Sequence, residues 1–189
     1  MKIRLLRGFA NMYLLEDGGE VAVVDPASPP PPDIADVSFI ALTHGHFDHY
    51  MHADDWSKGV LVHPNDVPIM EEAPDWVMRH FGIPVPPPPK IDGYLREGDE
   101  LRLGGVVLSV WEIPGHSPGS VAIVGDGFIL TGDLIFEMGG VGRTDLPGGD
   151  ERLLWNSIRR VLSLPDTTLV YPGHGNPFTV REAKRWFRV

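Results

Sequence analysis

The chain of 189 residues contains no cysteine and no glutamine, only four asparagines, and no long apolar run. Without cysteine there is no disulfide, no thiol nucleophile and no thiolate metal site, so any metal must be held by His, Asp or Glu. No segment approaches the roughly 18 apolar residues of a membrane span, and the opening MKIRLLRGFANMYLLEDG lacks the uninterrupted apolar stretch of a signal peptide. The expectation is a cytoplasmic protein away from the membrane. Positive charge is also scarce, since 16 Lys plus Arg face 26 Asp plus Glu for a formal net charge of −10. Nucleic acid, which is bound mainly by neutralising phosphates with Lys and Arg, is therefore not an expected partner. A small-molecule substrate is. Scarce Asn and Gln beside abundant Pro is a composition found in heat-adapted proteins.

What remains is 42% hydrophobic and 22% charged, the profile of one globular domain over residues 1–189. Short runs rich in Val and Ile read as strands: Met12 to Leu15, Val21 to Val24, Val37 to Leu42, Gly59 to Val62, Val106 to Ile113, Ser120 to Val124, Phe128 to Leu130 and Thr168 to Tyr171. Gly18-Gly19 and Asp126-Gly127 read as hairpin turns. Leu154, Ile158, Val161 and Leu162 share one helical face, with Asp150 as N-cap. A second helix is predicted within Asp66 to Phe81, interrupted at Pro74. Thr179 and Glu182 have capping-box spacing, which predicts a helix over Val180 to Phe187. The proline tetrads Pro29 to Pro32 and Pro86 to Pro89 read as rigid surface loops.

The densest chemistry lies in Thr43-His44-Gly45-His46-Phe47-Asp48-His49, directly after a predicted strand. On an extended chain His44 and His46 point to one side and can share an ion, while Asp48 and His49 turn toward another. Imidazole and carboxylate are ligands that zinc accepts. His116, Asp133 and His174 each follow another predicted strand within about three residues. Strand ends lying side by side deliver their loops to one rim. Asp25 also ends a strand, and either orients a ligand imidazole or makes an Asp-Pro turn.

In order and spacing, THGHFDH, then IPGHSPGS, LTGD and YPGH, resemble the motifs of the metallo-β-lactamase superfamily across almost the whole chain. The resemblance implies an α+β fold, the four-layer αβ/βα sandwich of two mixed sheets flanked by helices, with metals along one edge. Carried over position by position, His44, His46 and His116 hold one divalent ion, Asp48, His49 and His174 hold the other, and Asp133 bridges them. Asp48 and Asp133 are then the carboxylates at the reacting centre. Two zinc ions are implied first, while iron and manganese accept the same ligands. Paired cations lower the pKa of water and polarise a carbonyl, so water is the nucleophile.

Within that superfamily, Gly139 to Asp145 (GGVGRTD) and the short chain are most similar to glyoxalase II-like hydrolases. The implied reaction is cleavage of a thioester such as an acylglutathione. Longer members carry a helical C-terminal domain that helps hold glutathione, whereas 15 residues follow His174 here, so the thiol is left open. Arg143 either pairs with a substrate carboxylate or with Asp145. Two other readings stay in play. One is a persulfide dioxygenase with one iron, held by two of His44, His46 and His116 together with Asp133. The other is a non-catalytic protein whose ions only clamp the sheets.

Gly115-His116-Ser117-Pro118-Gly119 also fits the serine-hydrolase pattern G-x-S-x-G, but Pro118 supplies no N–H to an oxyanion hole and a strand follows, so Ser117 is not taken as a nucleophile. His52 is expected at the surface, His63 in a structural hydrogen bond near the rim, and His80 on an exposed helix. Trp56, Trp76, Phe81 and Pro86 to Pro89 either wall a pocket or join the core.

Overall fold

Strands that are apolar at every position must be covered on both faces. In β2 (Asn11–Asp17), Met12 and Leu14 point one way, Tyr13 and Leu15 the other, and all four are buried. The computed structural model describes residues 1–188. It places β2 in a six-stranded sheet with β1 (Lys2–Arg7), β3 (Glu20–Val24), β4 (Ile40–Ala41), β5 (Val60–Val62) and β6 (Ile91–Tyr94), side by side in chain order. The β1, β2 and β3 pairs are antiparallel, and those from β3 to β6 are parallel.

A second six-stranded sheet runs β12 (Phe178–Thr179), β11 (Leu169–Pro172), β10 (Phe128–Gly132), β9 (Val121–Gly125), β8 (Val106–Glu112) and β7 (Glu100–Leu103). It is antiparallel except between β10 and β11. Tyr13, Leu15 and Val24 of the first sheet meet Leu108, Val110, Ile123 and Leu130 of the second. The opposite face of the first sheet packs Met12, Leu14, Ile40 and Val62 against Met70 of α1 (Val67–Phe81). That of the second packs Ala122, Ile129 and Val170 against Leu154, Ile158 and Val161 of α2 (Glu151–Leu162) and Ala183 of α3 (Val180–Phe187). The result is the expected four layers of two mixed sheets with helices outside.

The caps follow the sequence. Asp150 accepts from Leu153 N at 2.9 Å, and Thr179 and Glu182 form the full capping box. Gly18 and Gly19 both adopt positive φ, as the tight turn between β2 and β3 requires. Three readings need correction. The helix at Asp66 is not interrupted: α1 runs through Pro74 and ends at Gly82, because Met70, Ala73 and Val77 stay buried on one side and outweigh the missing N–H. The predicted strand Val37 to Leu42 shrinks to Ile40–Ala41, although Phe39 and Leu42 still exchange backbone bonds with neighbouring strands. The edge strands β1, β6 and β7 and the two-residue β12 escaped the sequence reading. The three edge strands carry charge or glycine where a covered strand would be apolar.

At one end of the sandwich the sheets are stitched together. Val121 N donates to Thr43 O at 2.8 Å, Asn11 N to Gly173 O at 2.7 Å, and Tyr13 OH to Pro172 O at 2.6 Å. Among the described residues no helix is long and apolar enough to cross a membrane.

Candidate metal centre

That stitched end is where β3, β4, β8, β10 and β11 deliver the segments that follow them. Thr43 to His49 leaves β4, His116 follows β8, Asp133 follows β10 directly, and His174 follows β11. Three overlapping groups form, with ligand-type atoms within 4.8 Å of one another: His44, His46 and His116; His44, His49 and Asp133; Asp48, His49 and His174. His46 Nδ1 and His116 Nε2 are 2.8 Å apart. Asp133 spans the two sides, with Oδ1 at 3.3 Å from His49 Nε2 and Oδ2 at 3.5 Å from His174 Nε2 and 3.7 Å from His116 Nε2. Asp48 Oδ2 lies 3.2 Å from His174 Nε2. All seven expected ligands converge.

The far side of each ring fixes which nitrogen faces inward. Thr43 Oγ1 donates its proton to Asp25 Oδ2 at 2.7 Å, so at 3.1 Å it can only accept from His44 Nδ1. Asp25 Oδ2 takes the proton of His49 Nδ1 at 2.8 Å, and Arg143 O takes that of His116 Nδ1 at 2.8 Å. The Nε2 atoms of His44, His49 and His116 are thereby the nitrogens that face inward, the arrangement that serves a metal ligand once any proton on them is displaced. Asp25 is the orienting partner, held in a left-handed turn at φ 55° by its bonds to Thr43 and His49.

His44 Nε2 is buried without a partner, and His49 Nε2 and Asp133 Oδ1, buried and 3.3 Å apart, make no well-aligned hydrogen bond. Such atoms are costly unless something completes them, and their geometry and chemistry fit a bound cation. Gly173 shows how tight the rim is, since a Cβ there would strike Asp133 Oδ1.

The protons of the metal-free chain divide the cluster. Burial, aided by His49, His116 and His46, holds His44 well below its ordinary pKa, and burial with His116 pushes His46 down to about 3. Burial also opposes charge on His49, yet Asp133, Asp25 and Asp48 prevail and keep it well above its ordinary value. Hydrogen bonds to Asp133 and Asp48 raise His174 to about 9. Burial alone would raise Asp48 and Asp133, but His49 and His174 outweigh it and keep both carboxyls low.

A profile described as the metallo-beta-lactamase superfamily matches residues 5–174. The chain belongs to that superfamily. It is 36% identical over 165 residues to the hydroxyacylglutathione hydrolase GloC of Haemophilus influenzae, covering 77% of this chain and 72% of that one. Among solved structures, it resembles the metallo-beta-lactamase BLEG-1 of the B3 class at 31% identity and a TM-score of 0.84, over 97% of both chains. It also resembles TTHA1623 in its di-iron-bound form at 36% identity and a TM-score of 0.82, over 98% of this chain and 97% of that one.

Above the candidate ligands of this superfamily member lies a cleft of about 690 Å³. Trp76 and Phe81 line it, whereas Trp56 packs on the core. Arg143 lines it too, but its Nε and Nη2 both bond Asp145, each at 2.7 Å. Ser117 is fully buried, does not line the cleft and donates to Asp66 at 2.6 Å, so its hydroxyl is out of reach of a substrate. His63 Nε2 meets Glu112 at 3.1 Å, His52 pairs with Asp55, and His80 stacks on Trp76.

Asp66 is the functional-site residue that sequence reading missed. It sits where a helix cap would, yet it does not cap α1. Its Oδ2 accepts from Gly45 N at 2.7 Å and Ser117 Oγ at 2.6 Å, and its Oδ1 from Gly119 N at 2.6 Å. It thus ties the loop of His44 and His46 to that of His116. Burial raises its pKa against the lowering effect of those three donors.

Proposed function

We propose that this protein is a metal-dependent hydrolase with two cations at its centre, cleaving a thioester or a related ester. The reading is carried by one observation: buried ligand-type atoms of His44, His49 and Asp133, that of His44 with no partner at all, meet beneath an open cleft. His44, His46 and His116 would hold one cation, Asp48, His49 and His174 the other, and Asp133 both. Bound there, paired cations supply a water acidic enough to attack and a positive field for the developing oxyanion. Everything else is the work of the chain. Thr43, Asp25 and the Arg143 carbonyl keep the imidazoles aimed, Asp66 locks the two loops together, and the cleft walls hold the acyl group and exclude bulk water. Asp48 and Asp133, held ionised, are the carboxylates within reach of the reacting atoms. Zinc is the proposed metal, a cytoplasmic location and a small-molecule substrate belong to the same proposal, and the thioester preference draws support from the likeness to GloC. The likeness to BLEG-1 favours a second substrate, a β-lactam amide.

The test is a metal count on protein purified without added ions, then a thioester reporter before and after chelation, with nitrocefin alongside. The expected result is about two cations per chain, with thioester hydrolysis lost on chelation and restored by re-addition. Hydrolysis that persists in fully metal-free protein would overturn the reading. One iron with oxygen uptake on a persulfide would replace it by the dioxygenase, and a filled centre that hydrolyses nothing would leave the ions as a structural clamp.

A further inference from the structure

The cleft is chemically lopsided. Metal-ligand side chains make its floor, while Phe47, Ile69, Trp76, Phe136, Val141 and Leu146 make much of its walls. At its mouth Phe9, Phe81 and Ile83 stand 55%, 53% and 46% exposed. Large side chains left in water around a cavity are what an apolar ligand covers. Beyond the ligands, the charged side chains of this lining are Glu72 and Arg143. The forked bond from Arg143 to Asp145 already occupies two of its nitrogens. The walls therefore offer a single cation, already paired with Asp145, and Glu72 repels an anion. Glutathione carries carboxylates at both ends, and holding such a tail in an apolar cleft requires paired cations.

We infer that the substrate of this site is an ester or thioester with a long apolar acyl chain lying along the cleft, and that the leaving thiol is not read by its charge. The inference rests on the hydrolase reading above and narrows it. Water adds its oxygen to the acyl carbon and the C–S bond breaks. The products are the fatty carboxylate and the thiol, with one proton released to solvent.

Two measurements on the metal-loaded chain separate this inference from the reading beneath it. In the first, kcat/KM is compared for acyl thioesters of N-acetylcysteamine, a neutral thiol, and of glutathione, across acyl lengths from butyryl to decanoyl. The expected result is a rise of about threefold to fourfold per methylene until the cleft is full, with no gain from glutathione at equal acyl length. A flat dependence on length, or a glutathione preference of tenfold or more, overturns the inference. In the second, the neutral fluorescent probe N-phenyl-1-naphthylamine is displaced by the non-hydrolysable S-decyl thioethers of both thiols. Equal or tighter binding of the neutral thioether supports the inference. Failure of the probe to bind, or tenfold tighter binding of the glutathione thioether, overturns it. If displacement tracks chain length while no thioester is cleaved, the thioester reading falls and the assignment of the cleft stands. Phe81→Glu and Ile83→Glu, both at exposed positions, should each cut the long-chain preference severalfold. Glu72→Arg should shift the ratio toward glutathione thioesters, and unchanged ratios in all three variants overturn the inference.

Discussion

The two proposed cation positions draw on the same residue types, three imidazoles with Asp133 in one and two imidazoles with Asp48 and Asp133 in the other, but hold their protons differently. Around His44 and His46, burial and mutual repulsion keep both rings neutral at physiological pH, so the lone pairs are ready. Around His49 and His174 the carboxylates of Asp133 and Asp48 keep the rings protonated, His174 up to about 9. A cation entering the second position must displace protons, and one meeting His44 and His46 need displace none from these two rings. One extra carboxylate in place of an imidazole thus separates a position set to load early from a neighbour whose loading depends on pH. The supports differ as well. Asp66 braces the first position through the backbone of Gly45 and Gly119, and Asp25 braces the second directly through His49 while reaching the first only by way of Thr43.

The strongest challenge to this contrast is His46→Ala, which takes an imidazole from the first position. Turnover should fall more than about a thousandfold while the far-ultraviolet spectrum and melting temperature stay near wild type. Unchanged turnover would remove His46 from the centre.

Next come the two braces. Asp25→Ala should weaken the second cation by about ten- to a hundredfold, the range for loss of a group that orients a ligand imidazole. Asp66→Ala should show its effect mainly in stability, because it strands two buried N–H groups at about 1–3 kcal/mol each. Chelator competition and denaturant melts on both variants check this division. Equal loss of both cations in Asp25→Ala would erase the distinction.

A smaller effect concerns pH. Affinity for the second cation should rise about tenfold per pH unit for each proton displaced, from neutral pH up to about 9. Affinity for the first should be nearly flat over that interval. The metal-free chain should behave oppositely. The raised pKa of His174 contributes stability that is complete below about 6.5 and is lost as pH rises through about 9. Competition titrations at pH 7, 8 and 9, with melts of the metal-free protein, read both trends.

The least effect is expected from Ser117→Ala. It removes one hydrogen bond to Asp66, about 1 kcal/mol, and should leave turnover within about twofold, since this hydroxyl is buried outside the cleft lining. A drop of a thousandfold would revive the serine-nucleophile reading.

Much of this was legible because ligation and burial leave local marks. Six residues from His44 to His49 carry three imidazoles and a carboxylate, a density that core packing does not produce. Met12 to Leu15 of β2 and Phe128 to Leu130 of β10 form unbroken apolar runs because both faces are covered there. The edge strands β1, β6 and β7 left no such mark, since water on one side permits Lys2, Arg4, Asp92 or Arg102. Pro74 misled for a related reason: its local cost is real, but the packing of Met70 and Val77 exceeds it. Asp66 stayed invisible because its partners lie 21 and 53 residues away along the chain, and its position before α1 resembles an ordinary cap.

Local chemistry along the chain thus set the ligand types, the covered strands, the capped helices and the exclusion of thiolate chemistry, since each depends on a few neighbouring side chains. Packing set the remainder. Which nitrogen each imidazole presents, which rings keep their protons, whether Asp25 is a turn or a brace, and where Arg143 places its charge all depend on groups brought together from distant segments. Hydrogen bonds and burial act over a few ångströms in space, and sequence distance carries no information about that separation until the sheets close.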